Sequence, residues 1–179
     1  MLPVDLQGLV DIKTCIPSII VELKYASVRN FIGKSLYDFS QCLVLKEVAG
    51  GLAKVQIDLK KEGLGLKIWD GFRPLAVQEF FWNSVSDKRY VSPPEEAPHT
   101  RGTAVDVTLV NREGQELPMP SLFDDFSEKA HRNYRGSGPE EQANSALLEY
   151  YMTRHGFIGL PTEWWHFDLS GWENYPIIS

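Results

Sequence analysis

The segment of residues 98–109, PHTRGTAVDVTL, constrains the fold of this chain more than any other. Its second half belongs to a run of β-branched and apolar residues, 104–110, which predicts a strand buried in the core. Asp106 lies inside this run, and His99 lies seven positions before it, on the other side of a glycine. Burying a charged group beside or within a core strand costs free energy unless the group is paired or binds a metal. The strand is therefore expected to border a functional site.

A second segment, residues 162–168 with the sequence TEWWHFD, offers partners for that pair. His166 would add a second imidazole to His99 and Asp106, and such a three-ligand metal site leaves a fourth position for water. Glu163 would then be free to accept a proton. Each residue also has a simpler explanation, as part of a surface pair, a solvated turn or a hydrogen-bonded core. The scarcity of histidine, four in the whole chain, favours the metal site.

Composition limits the class of protein. With 179 residues, of which 43% are hydrophobic, the chain fits one globular domain with a sizeable core. Its 24 acidic and 18 basic residues give a net charge of -6 without a basic stripe, so nucleic acid is not an expected partner. No apolar run approaches the ~20 residues of a membrane span, and the N-terminus lacks signal-peptide features. We expect no membrane partner and a cytoplasmic location, unless a leader was removed.

Hydrophobic periodicity predicts a mixture of strands and helices. The clearest helix covers residues 46–59, where apolar residues recur at spacings of four, three and four. No internal repeat, linker or low-complexity segment interrupts the pattern, so residues 1–179 are expected to form one compact α+β domain. The predicted strands are 19–25, 42–45, 66–69, 104–110 and one after Pro161, and the predicted helices are 46–59, one opening at Pro74 and one from Pro139 to Gly156.

Several side chains are assigned to the core. Cys15 and Cys42 are too few for a disulfide framework or a zinc-thiolate site and are interpreted as small core residues, with a single bridge between them left open. A hairpin turn is expected at residues 111–114, with a return through residues 115–119. The expected inward-facing residues are Val77, Phe80, Phe81 and Val85 in the helix after Pro74, and Ala143, Leu147 and Tyr150 or Tyr151 in the last helix.

The position of Arg73 is suited to an active site. Arg73 lies at the turn from strand 66–69 into the next helix, where rigid elements on both sides can aim a guanidinium into a cleft. A surface arginine stacked on a neighbouring aromatic ring is the alternative.

Glu163 and His166 are three residues apart, so in one regular strand they would face opposite sides of the sheet. We therefore expect Glu163 in the turn before the strand, or a bulge between the two residues.

Together these motifs resemble the zinc D-alanyl-D-alanine dipeptidases, the VanX-like branch of the D,D-peptidase family. The resemblance runs from about residue 10 to residue 176, and the ordered motifs are more specific together than any one alone. It implies a central antiparallel sheet with flanking helices, as in hedgehog domains and D,D-peptidases. The matching motifs are 99–106 (HTRGTAVD), 163–167 (EWWHF), 69–74 (WDGFRP), 23–26 (LKYA), 30–33 (NFIG) and 123–124 (FD).

The resemblance also implies a chemistry. One zinc ion per chain would be held by His99, Asp106 and His166, with Glu163 as the catalytic base and Arg73 facing the developing oxyanion. The implied reaction is hydrolysis of a small dipeptide, D-alanyl-D-alanine, to two D-alanines by a metal-activated water.

Two more residues are implied to bind the substrate. Asp124 falls where the family has an acid facing the free amino group of the dipeptide, and Tyr25 resembles another pocket residue. A surface acid pair with Asp125 is the alternative for Asp124. The chain departs from the family at Ala97, where relatives commonly have serine, and at residues 119–122, where they often have glycine after the methionine. These changes leave the metal set and the base intact and bear on substrate fit.

Other interpretations stay open at this point. The same metal set occurs in D,D- and L,D-carboxypeptidases and in phage endolysins, which act on longer peptidoglycan stem peptides, and related zinc folds serve as non-catalytic binding domains. Two histidines and a carboxylate also form the facial triad of iron(II) oxygenases. Retention of Glu163 and Arg73 beside the metal set favours hydrolysis. The oligomeric state has no signature in the sequence.

Overall fold

The computed structural model describes residues 8–178. Within that range, short 3-10 helices connect the main elements, and no helix is both long enough and apolar enough to cross a membrane. In chain order the elements are β1 (Leu9–Asp11), α1 (Ile12–Cys15), β2 (Ile20–Val21), β3 (Leu43–Leu45), α2 (Lys46–Lys61), β4 (Gly65–Asp70), α3 (Leu75–Ser84), β5 (Ala104–Val110), α4 (Pro139–Arg154), β6 (Phe157–Gly159) and β7 (His166–Leu169).

A five-stranded sheet in the order β2-β4-β5-β7-β6 forms the centre of the fold. Its neighbouring strands are antiparallel, except for β2 and β4, which run parallel. β5 occupies the middle position, and all of its residues are buried, as its apolar run predicts. β1 and β3 form a separate antiparallel pair. This arrangement confirms the α+β class, and the parallel edge strand makes the sheet mixed.

Helix α2 confirms the clearest periodicity in the sequence. Its predicted apolar stripe is fully buried, and each of these side chains contributes roughly 1.5–3 kcal/mol of transfer free energy. The helix follows β3 directly and ends before Gly63, whose positive φ of 74° lets the chain turn back into β4. The stripe consists of Val48, Leu52, Val55 and Leu59, each 0% exposed.

The strand predicted over residues 19–25 is wrong for most of its length. Only Ile20–Val21 pairs with β4, and Lys24–Ala26 forms a 3-10 helix. This turn packs the ring of Tyr25 against Phe81, with 4.9 Å between the ring centroids. Tertiary packing of one aromatic residue therefore overrides the local preference for a strand.

The inward faces of α3 and α4 differ in part from those predicted. Phe80 is 42% exposed on α3, although Val77 and Phe81 of the same face are buried. In α4, Leu147 and Tyr151 of the predicted face are half-buried against the core, as predicted. The fully buried positions fall one residue later, because apolar side chains lie on several faces of this helix and periodicity does not select among them. The buried residues of α4 are Leu148 and Met152, whereas Ala143 and Tyr150 are exposed.

Two local predictions are corrected elsewhere in the fold. Cys15 is exposed at the end of α1, so its assignment to the core is wrong, whereas Cys42 is buried, and both thiols are free. The turn at residues 111–114 closes with a backbone hydrogen bond of 3.0 Å from Gly114 to Asn111, as predicted. The return after it contributes only one bridge, between Val110 and Glu116, and not a full strand.

Candidate active site

Strand pairing brings the two histidine-containing segments together. His99 lies in a 3-10 helix, Pro98–Arg101, which ends at Gly102, where a left-handed backbone (φ 68°) turns the chain into β5. Asp106 lies on β5 and is the direct antiparallel partner of His166, the first residue of β7. The register of the sheet therefore places the second histidine beside the aspartate.

His99, Asp106 and His166 converge at one buried point. Nδ1 of His166 lies 3.2 Å from Nε2 of His99 and 3.1 Å from Oδ1 of Asp106, and Nε2 of His99 lies 3.4 Å from the same oxygen. All three residues are buried. One ligand atom from each lies within 4.8 Å of the others, a spacing at which all three can hold one metal ion.

The outer nitrogen of each imidazole has its own acceptor. Nδ1 of His99 donates to the carbonyl of Gly71 at 2.7 Å, and Nε2 of His166 donates to Oδ1 of Asp168 at 2.7 Å. These partners assign the proton of each neutral ring to the outer nitrogen, so in that form the inner nitrogen presents a lone pair toward Asp106. Three acceptors then face one another, and a bound cation would stabilise them. The donor set fits a metal ion.

The surrounding charges favour a cation at this point. Burial by itself would raise the pKa of Asp106, but His99 and His166 outweigh it and hold that pKa below its usual value. Burial by itself would lower the pKa of His166, but Asp168 and Asp106 outweigh it and raise that pKa well above its usual value. The two carboxylates thus stabilise positive charge where the ligand atoms meet.

Glu163 lies in the turn between β6 and β7, which confirms the predicted location. Its N–H donates to the carbonyl of Leu160 at 3.3 Å, and its carbonyl accepts from the N–H of His166 at 3.4 Å. The turn leaves Oε2 of Glu163 at 4.0 Å from Nδ1 of His166. Burial raises the pKa of Glu163 to about 7, although His166 opposes the shift. A carboxyl with this pKa can exchange a proton near neutral pH.

Arg73 is buried beside the three ligand atoms, so the alternative of a surface arginine is wrong. Its Nε and Nη2 donate to Oδ2 of Asp70 at 3.1 and 2.8 Å, and its Nη1 donates to Oε1 of Gln78 at 2.8 Å. Nη2 lies 3.8 Å from Oδ2 of Asp106. Burial opposes the charged form, but Asp70 outweighs it and raises the pKa of Arg73 well above its usual value. The guanidinium is a fixed positive charge.

Tyr25 and Asp124 form a hydrogen-bonded pair. The Tyr25 hydroxyl donates to the Asp124 carboxylate, at 2.9 and 3.1 Å from its two oxygens. Asp124 has a φ of 58°, a conformation uncommon outside glycine that tends to occur at ligand sites. Burial, reinforced by Asp106, raises the pKa of Asp124 well above its usual value. Asp124 therefore faces a cavity and is not half of a surface pair with Asp125.

One cavity of about 290 Å³ is lined by all seven residues predicted for the site. Ala97 and Pro98 line it as well, so the departure from the family pattern at Ala97 borders the space available to a ligand, whereas residues 119–122 do not line this cavity. Aromatic rings complete the wall. The seven predicted residues are Tyr25, Arg73, His99, Asp106, Asp124, Glu163 and His166.

Comparison with known proteins identifies the family. Residues 5–176 match Peptidase_M15, D-ala-D-ala dipeptidase. A D-alanyl-D-alanine dipeptidase of Escherichia coli (strain K12) is 37% identical over 176 residues, which span 98% of this chain and 91% of that protein. The chain belongs to the M15 peptidase family. D-alanyl-D-alanine dipeptidases of Enterococcus faecalis (strain ATCC 700802 / V583) and Enterococcus faecium are 32% and 31% identical to this M15 peptidase, and each match covers 87% of both chains.

A solved structure shares the fold of this M15 peptidase. The LD-carboxypeptidase LdcB superimposes with a TM-score of 0.54 and 23% sequence identity, covering 91% of this chain and 68% of that chain. At this identity the likeness concerns the fold alone. Membership in the family makes the protein a metallopeptidase, which confirms the predicted enzyme class.

Sequence reasoning missed several buried polar residues that surround the site of this M15 peptidase. Asp70, the last residue of β4, accepts hydrogen bonds from Arg73 and, at 2.7 Å, from the Tyr37 hydroxyl. Gln78 holds the other side of the guanidinium, and Asp168 orients one histidine. An aspartate at the end of an apolar strand is a weak signal for Asp70. Tyr37 and Gln78 have none, because their contacts arise only from packing.

Proposed function

We propose that this protein is a zinc-dependent dipeptidase that hydrolyses D-alanyl-D-alanine to two molecules of D-alanine. The observation that carries the proposal is the convergence of a His-Asp-His group, a carboxyl with a raised pKa and a buried arginine in one small cavity. The relatives that are named D-alanyl-D-alanine dipeptidases support the choice of substrate.

His99, Asp106 and His166 would hold one zinc ion per chain. Two imidazole nitrogens and one carboxylate oxygen match the ligand preference of zinc and leave a position for water. When bound, zinc supplies Lewis-acid activation of a water molecule and of the scissile carbonyl. The same donor set also suits iron(II), but the carboxyl of Glu163, 4.0 Å from Nδ1 of His166, favours hydrolysis.

Glu163 acts first as a base and then as an acid. Its carboxylate accepts a proton as water attacks the peptide carbonyl, and its carboxyl later delivers that proton to the leaving amine. A pKa of about 7, raised by burial, supports this double role. At a pH close to this pKa, the carboxylate can accept a proton from water and the carboxyl can release it to the leaving amine.

Arg73 stabilises the negative charge that develops on the carbonyl oxygen. Its distance of 3.8 Å from Asp106 supports this role, since the guanidinium lies beside the proposed metal ligands. Hydrogen bonds to Asp70 and Gln78 hold the group before substrate arrives. A donor oriented in advance costs little reorganisation during the reaction, and this is the main advantage of an enzyme site over water.

Asp124 binds the free amino group of the dipeptide, and Tyr25 orients the carboxyl that does so. An incoming ammonium would favour the ionised form of Asp124, whose pKa burial raises. The cavity of about 290 Å³ lies at the small end of ligand pockets, ~300–1,000 Å³, in keeping with a dipeptide.

The direct test is release of free D-alanine from D-alanyl-D-alanine by the zinc-loaded protein, beside an acetylated tripeptide ending in the same two residues. Cleavage of the dipeptide alone would support a dipeptidase with an amine-binding pocket. Cleavage of the tripeptide would indicate a carboxypeptidase acting on longer stem peptides, and inactivity on both would contradict the proposed substrate. Removal of the metal by a chelator, followed by addition of zinc or iron(II), would identify the active metal.

We also propose that the reaction takes place in the cytoplasm. The free thiols of Cys15, which is exposed, and of Cys42 are in keeping with a reducing compartment. Fractionation of cells that express the protein, followed by the dipeptidase assay, tests this location. Activity recovered mainly outside the cytoplasmic fraction would contradict it.

A further inference from the structure

Two neighbouring cavities share a wall that includes Phe31 and Asp124. Both residues line the proposed active-site cavity of about 290 Å³ and also an open groove of about 750 Å³ next to it. We infer that Phe31 closes the active-site cavity toward the groove and thereby restricts the enzyme to dipeptides. This inference deepens the proposed function and rests on it, because it requires that the amino end of the substrate faces Asp124.

The ring of Phe31 packs among aromatic rings from three other segments. Its centroid lies 5.0 Å from that of Phe126, 5.2 Å from that of Phe81 and 6.3 Å from that of Tyr25. Aromatic pairs at such distances are favourable beyond the area that they bury. With 38% of the residue exposed, the ring packs against these walls on one side and remains open on the other. The ring therefore lies at the boundary between the cavity and the groove, both of which it lines.

The loop that carries Phe31 is held by the side chain of Asn30. Nδ2 of Asn30 donates to three backbone carbonyls of the loop, at 2.7, 2.8 and 3.2 Å. Oδ1 accepts from the N–H groups of the two residues after Phe31, at 2.9 and 3.0 Å. A single amide thus organises the turn, so hydrogen bonds within the fold help to position the Phe31 ring.

The groove beyond Phe31 suits an extension of a peptide. Its floor is aromatic and includes Trp69 and Trp164, and Lys24 lies beside it with Nζ 5.8 Å from the centroid of the Trp69 ring. A residue added to the amino end of the dipeptide would have to pass Asp124 and would meet Phe31 before it reached this surface. Removal of the ring would join the two spaces.

The experiment compares kcat/KM for D-alanyl-D-alanine and for an acetylated tripeptide ending in D-alanyl-D-alanine, using the zinc-loaded full chain. Phe31→Ala should raise the tripeptide-to-dipeptide ratio of kcat/KM about tenfold or more, equivalent to about 1.4 kcal/mol. Phe31→Tyr, which keeps the ring, should retain the wild-type ratio. Asn30→Ala, which loosens the loop, should raise the ratio in the same direction as Phe31→Ala.

Phe80→Ala is the matched control, because Phe80 is similarly exposed on α3 but lines neither cavity. It should leave the rates on both peptides unchanged, and thermal melting checks that every variant folds. A folded Phe31→Ala enzyme with the wild-type ratio would overturn the inference while the proposed function stands. A wild-type enzyme that cleaves both peptides equally well would overturn both the inference and the assignment as a dipeptidase. Inactivity of the wild type on both peptides would overturn the proposed function and this inference with it.

Discussion

Replacement of Asp168 should weaken metal binding without removing a ligand. Asp168 lies on β7 two residues after His166, and its Oδ1 accepts the Nε2 hydrogen of that histidine at 2.7 Å. The two side chains are only 13% and 8% exposed, so water cannot readily take the place of the carboxylate. Without it, His166 would lose the partner that keeps the proton on Nε2 and the lone pair on Nδ1.

The expected loss follows from the geometry of this pair. Removal of a partner that orients a metal-binding histidine weakens metal affinity about 10- to 100-fold, or about 1.4 to 2.7 kcal/mol. The short, buried hydrogen bond places Asp168→Ala in the upper part of that range. Asp168→Asn should fall between this variant and the wild type. Its amide oxygen still accepts the hydrogen, but the charge that helps to raise the pKa of His166 is gone.

Competition with a chromophoric zinc chelator at fixed pH measures these affinities. Asp58→Ala is the matched control, because it breaks another histidine–carboxylate pair, between Asp58 and His155 at 2.8 Å, that does not line the cavity. This control should bind zinc like the wild type. Turnover of Asp168→Ala at saturating zinc should fall much less than its zinc affinity. An Asp168→Ala protein whose zinc affinity stays within about twofold of the wild type would refute the positioning role.

Further expectations concern Glu163, His166 and Arg73. Glu163→Ala should keep its zinc, measured by metal content, and lose most turnover; near-normal turnover would contradict its role as the base. His166→Ala should lose the metal, so that zinc no longer raises its melting temperature, whereas for the wild type zinc at about 100 times its Kd adds about 2.7 kcal/mol of stability. Arg73→Ala should lower kcat by roughly 10²–10³ with little change in KM; the reverse pattern would make it a substrate anchor. On the proposed mechanism Glu163 must be deprotonated to act, and a bound cation would lower its raised pKa of about 7. The value of kcat/KM should therefore fall with acid at or below pH 7, and a limb well above it would contradict the assignment.

The parts of the fold that the sequence predicts are those in which one local signal dominates. The run of apolar residues in β5 leaves no alternative to burial, and the spacing in α2 matches one helical stripe. The grouping of His99, Asp106 and His166 could be expected because few arrangements satisfy two histidines and an acid in apolar surroundings. Their distances depend on the register of β5 and β7, which no local pattern specifies.

The sequence-based predictions are wrong where tertiary contacts, and not the local sequence, select the secondary structure or the buried face. Tyr25 interrupts the strand predicted at its position because its hydroxyl bonds Asp124, a residue 99 positions away in the sequence. In α4, the adjacent apolar residues Leu147 and Leu148 both contact the core, and packing buries the second fully while the first stays half-buried. Asn30 belongs to a motif that the sequence analysis recognised, but its role in holding the loop appears only from its hydrogen bonds.

Asp70 connects the arginine to the metal-binding segment. It is fully buried, its Oδ2 accepts from Arg73 at 2.8 and 3.1 Å, and its Oδ1 accepts from Tyr37. Its Oδ2 also lies 3.8 Å from Nδ1 of His99. A buried ion pair adds little net stability, because desolvation offsets the attraction. Stability therefore does not account for the pairing of Asp70 with Arg73, whereas the position in which it holds the guanidinium does. Asp106 is another carboxylate close to the guanidinium, at 3.8 Å, and we expect that without Asp70 the arginine would pair there and compete with a bound metal. On the proposed mechanism, Asp70 would keep Arg73 beside the reacting atoms while Asp106 stays available to the metal.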